Sequence, residues 1–175
     1  MGEIKSTLEI IMEKTKDLTL TEEEKKEFKQ KDMAGKIKGI IQKFLDGILD
    51  LKRLKMEIAA LEQDSQDEVT RLVIDELLPR IRPEEDNTLF LQILDAREGI
   101  DTTPVKELCE DFNKRLAKEK AVREKELMNI LKNKGISGSA VIPNLNADPD
   151  WMNNISDMGK GFEERLHSYR KNLFS

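Results

Sequence analysis

Apolar side chains at Ile37, Ile40, Phe44, Leu51, Leu54, Ile58 and Leu61, with Gly47 between them, fall alternately three and four residues apart. At 3.6 residues per turn, that spacing gathers one continuous stripe on one side of a helix. A strand would scatter the same residues over both its faces, because its side chains alternate with period 2. The segment therefore predicts a long helix with a heptad seam, and such a seam needs a second helix from the same chain or from another copy. Ile41, Leu45, Ile48 and Leu49 broaden its first half. A stripe that wide favours burial in a bundle over a bare two-stranded coil. Gly47 is the weak point, costing about 1 kcal/mol relative to alanine inside a helix. It is read as a place where another backbone comes close.

The same period recurs on both sides. Ile4, Leu8, Ile11 and Leu18 predict a first helix, and Thr21 with Glu24 forms a capping-box pattern that opens the next. Ser65 with Glu68 repeats that pattern ahead of Val69, Leu72, Val73 and Leu77. Pro79 and Pro83 then break the run, since proline disfavours helix at itself and just before. Leu89, Phe90, Ile93 and Leu94 mark a short helix ended near Gly99. Thr103, as N-cap, and Pro104 open a helix that runs to Lys134 and stops at Gly135. Phe162, Leu166, Tyr169 and Leu173 predict a last short helix. No alternating run reads as a strand.

The fold class is therefore all-α, a helical bundle or long helical hairpin with an extended C-terminal arm. Residues 1–134 are expected to form a coiled-coil-like helical domain. Residues 135–175 are expected to form an arm that packs on that core or on a partner.

Charge sharpens the picture. Charged residues make up 37% of the chain, against roughly 25% in an ordinary globular domain, which suits long helices with much solvated surface. The net charge of −5 is unevenly spread, with a strongly acidic stretch over 57–111 and basic excess before and after it. Such asymmetry suits packing between segments or between copies. Cys109 is the only cysteine, so no internal disulfide forms, and a reducing cytoplasm is the expected compartment. The opening residues lack a signal-peptide apolar run, and no uncharged run is long enough to span a bilayer.

The longest uncharged run is itself informative. Gly135 to Ala147 carries no charge and leads into the last 25 residues, which hold four of the eight aromatics. Val141, Ile142, Pro143, Leu145 and Trp151 are the apolar groups it offers, with Pro143 biasing Ile142 toward extended backbone. Two uses compete for them. As a strap they fold back over the chain's own helices, where charge would be costly to bury. As a docking segment they meet a partner's groove. The strap is the favoured reading. Asp148 is an N-cap candidate, followed by Pro149.

Catalytic and ligand-binding patterns are sparse. Glu164 and His167 make one E-x-x-H, the spacing that puts carboxylate and imidazole on one face in ferritin-like metal bundles. Those sites need two such motifs and two further glutamates, so no metal or other cofactor is expected. "GISGS" around Ser137 departs from a nucleophile elbow at Ser139 and follows a helix, not a strand. The basic run from Lys114 to Lys134 offers Lys114, Lys118, Lys120, Arg123 and Lys125 to phosphates. It lacks an aromatic to stack on a base, and Glu119 is spaced to pair with Arg123 along the helix.

The function expected from the sequence is non-catalytic: an interaction or assembly protein acting through helix surfaces and the 135–175 arm, with a protein partner or itself as a homo-oligomer. A ferritin-like metal protein and a nucleic-acid binder are the alternatives.

Overall fold

A computed structural model describes residues 21–62 and 66–174. The predicted helix at Ile4–Leu18 and the capping residue Ser65 lie outside them. Among the described residues there are six α-helices and two short 3-10 turns, with no strand. The helices are α1 (Glu22–Leu45), α2 (Leu51–Leu61), α3 (Gln66–Leu77), α4 (Thr88–Asp95), α5 (Thr103–Asn133) and α6 (Pro149–Asn172). The fold is all-α. Its contacts divide between Val69 and Thr70, inside α3, into two compact units.

In the first unit, α1 opens on the predicted capping box. The Glu24 amide donates to Thr21 Oγ1 at 3.1 Å, and the Thr21 amide donates to the Glu24 carboxylate at 2.7 Å. Its first three turns are exposed, Phe28 included at 69%. Met33, Ile37, Ile40, Ile41 and Phe44 then form its buried face.

The long heptad helix is not continuous, and this corrects the expectation. α1 stops at Leu45, and Gly47 adopts φ +72°, the left-handed backbone that terminates a helix. The Gly47 amide donates to the Phe44 carbonyl at 3.0 Å and the Ile48 amide to the Lys43 carbonyl at 2.8 Å, the paired bonds of a Schellman cap. Asp50 accepts from the Arg53 amide at 2.7 Å and starts α2. α1 and α2 pack on each other, so the two halves of the seam lie on separate helices. No backbone approaches Gly47, because a Cβ built there would meet nothing within 4 Å. The heptad rhythm runs across the turn because each helix independently needs an apolar stripe.

In the second unit, Val73, Ile74 and Leu77 of α3 are buried, followed by Leu78 and Ile81 in and after a 3-10 turn that contains Pro79. Asn87 knits the following turn, its amide nitrogen donating to the carbonyls of Arg82 (2.6 Å) and Glu85 (3.0 Å). It also accepts from the Arg82 amide at 3.1 Å. α5 begins one residue earlier than expected. Thr102 is its N-cap and donates its hydroxyl to Asp95, and that bond, ahead of the Lys106 ammonium, holds the Asp95 carboxyl below its ordinary range.

α6 is the largest departure from the sequence reading. The expected short helix is 24 residues long and begins at Pro149, directly after the predicted cap residue Asp148. It packs antiparallel along α5. Val105, Leu108 and Phe112 of α5 and Met158, Phe162 and Leu166 of α6 are all buried, with the Phe112 and Phe162 rings edge to face at 5.7 Å. Burying each such side chain stabilises by about 1.5–3 kcal/mol. Tyr169 donates to the Asp101 carbonyl at 2.7 Å and Arg170 to Asp75 at 2.6 Å, fastening the C-terminal half of α6.

Candidate functional site

The inner stripe of α5 changes character along its length. Val105, Leu108, Phe112 and Leu116 continue, on the same face, into Arg123, Leu127, Ile130 and Leu131. Arg123 lies where α6 begins. Its guanidinium donates to both oxygens of Asp148, to Asp150 at 2.8 Å and to Glu126 at 3.0 Å. The expected partner Glu119 is passed over in favour of Asp148 and Asp150 at the start of α6 and Glu126 on α5. Asp148 is buried, and the Arg123 guanidinium holds its carboxyl below the usual carboxylate range against the opposing effect of burial.

Past Arg123, α5 runs on for ten residues, roughly 15 Å at 1.5 Å per residue. It ends at Gly135, φ +80°, in a second Schellman cap whose amides reach Lys132 and Leu131 at 3.0 Å. The uncharged stretch then returns from this tip to the Arg123–Asp148 pair. Leu145–Ala147 forms a 3-10 turn against α6, with the Asn144 side chain accepting from the Asn146 amide at 3.1 Å.

The structure thus splits the five apolar candidates. Trp151 is buried in its own chain, Val141, Pro143 and Leu145 are half-buried, and Ile142 is 84% exposed. Ile136 and Ile130 are also exposed, at 49% and 43%. The stretch therefore covers its own chain at Trp151 and in part at Val141, Pro143 and Leu145, but not at Ile142. It is a fastened loop that shows isoleucine to solvent at the end of a long helix.

A second feature lies along the other half of α6. An open groove of about 670 Å³ is lined by Ile155, Gly159, Phe162, Glu163, Leu166, His167 and Arg170 of α6. The turn after α3 contributes Leu78, Ile81, Arg82, Pro83 and Glu84, and α5 contributes Phe112. The floor is apolar and the rim is charged with both signs.

The remaining candidates are not brought together. Lys114, Lys118 and Lys125 are exposed within a narrow arc of α5, whereas Lys120 and Arg123 lie about half a turn away. Lys114 is 3.5 Å from Glu110, and Arg123 is committed to carboxylates. Glu164 and His167 are both exposed, and it is Glu163 that shares the groove with His167. Among the described residues, no three His, Cys, Asp or Glu side chains are placed to hold a metal ion. Burial pushes the Cys109 thiol up, away from the reactive thiolate.

Sequence reasoning missed the groove. Its signals were Pro79 and Pro83, which stiffen one lip, and Gly159 within an apolar stripe on the other. The Asp75–Arg170 pair joins residues 95 apart in the chain and had no local signal. No helix among the described residues is long and apolar enough to cross a membrane. No family model matches the chain, and neither a curated protein nor a solved structure gives a significant match.

Proposed function

We propose that the protein is a non-catalytic interaction or assembly protein, working in the cytoplasm, that binds through its helical surfaces and the 135–175 arm. The observation that carries this reading is the display of Ile142, 84% exposed on an uncharged loop whose far end is fastened by Arg123 and Asp148. An exposed isoleucine contributes nothing to the core of its own chain. Held on an ordered loop, it forfeits less conformational entropy on docking than it would on a disordered one. Ile130 and Ile136, at the end of α5, are exposed as well, and exposed apolar groups suit the apolar centre of a protein–protein contact.

The test is Ile142→Asp. Because the side chain is solvent-facing, the substitution is expected to leave stability within about 0.5 kcal/mol of the parent. It is expected to abolish co-purification of whatever protein the parent retains, by cross-linking and affinity capture from lysate. Retention of the same partner by the variant, or a parent that is monomeric and captures nothing, contradicts the reading.

A further inference from the structure

We infer that residues 124–147 form a flap that opens and closes as one unit on the α5–α6 hairpin, and that the Arg123–Asp148 pair is its latch. The flap carries Ile142, but its opening is independent of what Ile142 binds.

Burial draws the boundaries. The paired helices are held by Val105, Leu108 and Phe112 on α5 and by Met158, Phe162 and Leu166 on α6, all buried. Between Phe112 and Asp148 no residue is buried. Within 124–147, Leu127, Met128, Leu131, Val141, Pro143 and Leu145 reach only half-burial. Opening the segment therefore exposes little new apolar surface, and a region with few buried contacts opens at a free energy well below that of global unfolding.

Hydrogen bonding draws the same line. Among the described residues, the one side-chain bond that leaves the segment joins Glu126 to Arg123, a single turn away. The helical part of the flap is the last ten residues of α5. It holds as a continuation of that helix, since isolated helices shorter than roughly 12–15 residues barely form in water.

The two ends of the segment meet at the latch. Arg123 and Asp148 are 25 residues apart in the chain, and the guanidinium donates to both Asp148 oxygens and to Asp150 at 2.8 Å. A two-pronged, charge-assisted contact fixes geometry as well as adding energy. Asp148 is also the first buried side chain after the flap. Unwinding that starts at the Gly135 tip runs back along α5 and forward along the loop until it reaches this pair. Whether the two ends stay together is decided there.

The experiment is amide hydrogen exchange on the full chain, resolved along α5 and α6. In the parent, the helical amides of 127–133 are expected to share one opening free energy and to exchange at least about tenfold faster than those of 108–112 and 158–166. Asp148→Asn is expected to speed them together by about tenfold or more, although the substitution lies beyond the far end of the flap. Arg123→Lys keeps the charge and loses the two-pronged contact. It is expected to fall between the parent and Asp148→Asn, and it reads the latch even where Asp148→Asn fails to fold. Flap amides as slow as those of the core overturn the inference. So does a profile that grades residue by residue from Asn133 back toward Arg123, or one that neither variant moves, because that is ordinary fraying of a helix end.

Discussion

Arg123 and Asp148 settle how the long loop ends. Arg123 occupies a position on the α5 stripe where periodicity would place an apolar residue, and it meets a buried carboxylate, with Asp150 and Glu126 completing its shell. Neutralising Asp148 removes the buried carboxylate that Arg123 meets through two nitrogens and leaves it only Asp150 and Glu126. Asp148→Asn is therefore expected to lower the melting temperature and to shift the emission of Trp151, the only tryptophan, toward that of solvated indole. The pH dependence follows from the same pair. Arg123 depresses the native Asp148 carboxyl, so its stabilisation is present above the unfolded value of about 3.9 and is lost as pH falls through the lower native value. Melting temperatures taken from neutral pH downward should fall below about pH 4 in the parent and less steeply in Asp148→Asn. Identical profiles for the two proteins would show that the pair does not act as described.

At the scale of the element, helix type was legible in the sequence and helix limits were not. Apolar spacing anticipated helix in every described helical segment, though not that the 37–61 seam divides into two helices, and the Thr21 capping box and the Gly135 stop formed as expected. The misreadings have two causes. Gly47 was taken as an interruption within one helix because the heptad rhythm does not falter there. Only its φ of +72° reveals two helices. α6 was shortened because Gly159 and Gly161 dilute its apolar pattern, although Trp151 and Met158 already belong to it. The groove was illegible because its lips come from distant parts of the chain and no local spacing records their meeting. Alanine substitutions separate the two kinds of glycine. Gly47→Ala puts a side chain into the left-handed region and should destabilise by about 1–2 kcal/mol. Gly39→Ala, inside α1 with nothing within 4 Å of the new Cβ, should stabilise by up to about 1 kcal/mol. Denaturant unfolding measures both, and equal effects from the two would refute the hairpin turn at Gly47.

At the scale of the molecule, two surfaces of the second unit remain available: an ordered loop at the tip of α5 and a two-signed groove along α6. Among the described residues, no three His, Cys, Asp or Glu side chains are placed at either of them to hold a metal ion. What they share is exposed apolar surface, which is what the proposed interaction role requires. The account turns on the loop being ordered yet open, since a buried strap would have nothing left to offer. Amide hydrogen exchange resolved over residues 135–148 tests that most directly. Fast exchange is predicted at Ser139, Ala140 and Ile142 in the isolated protein, with slower exchange at Ala147 and Asp148, whose amides donate to Asn144 and Leu145. Uniformly slow exchange across the stretch, as slow as in the α5–α6 core, would mean that the loop is packed away and would contradict the account.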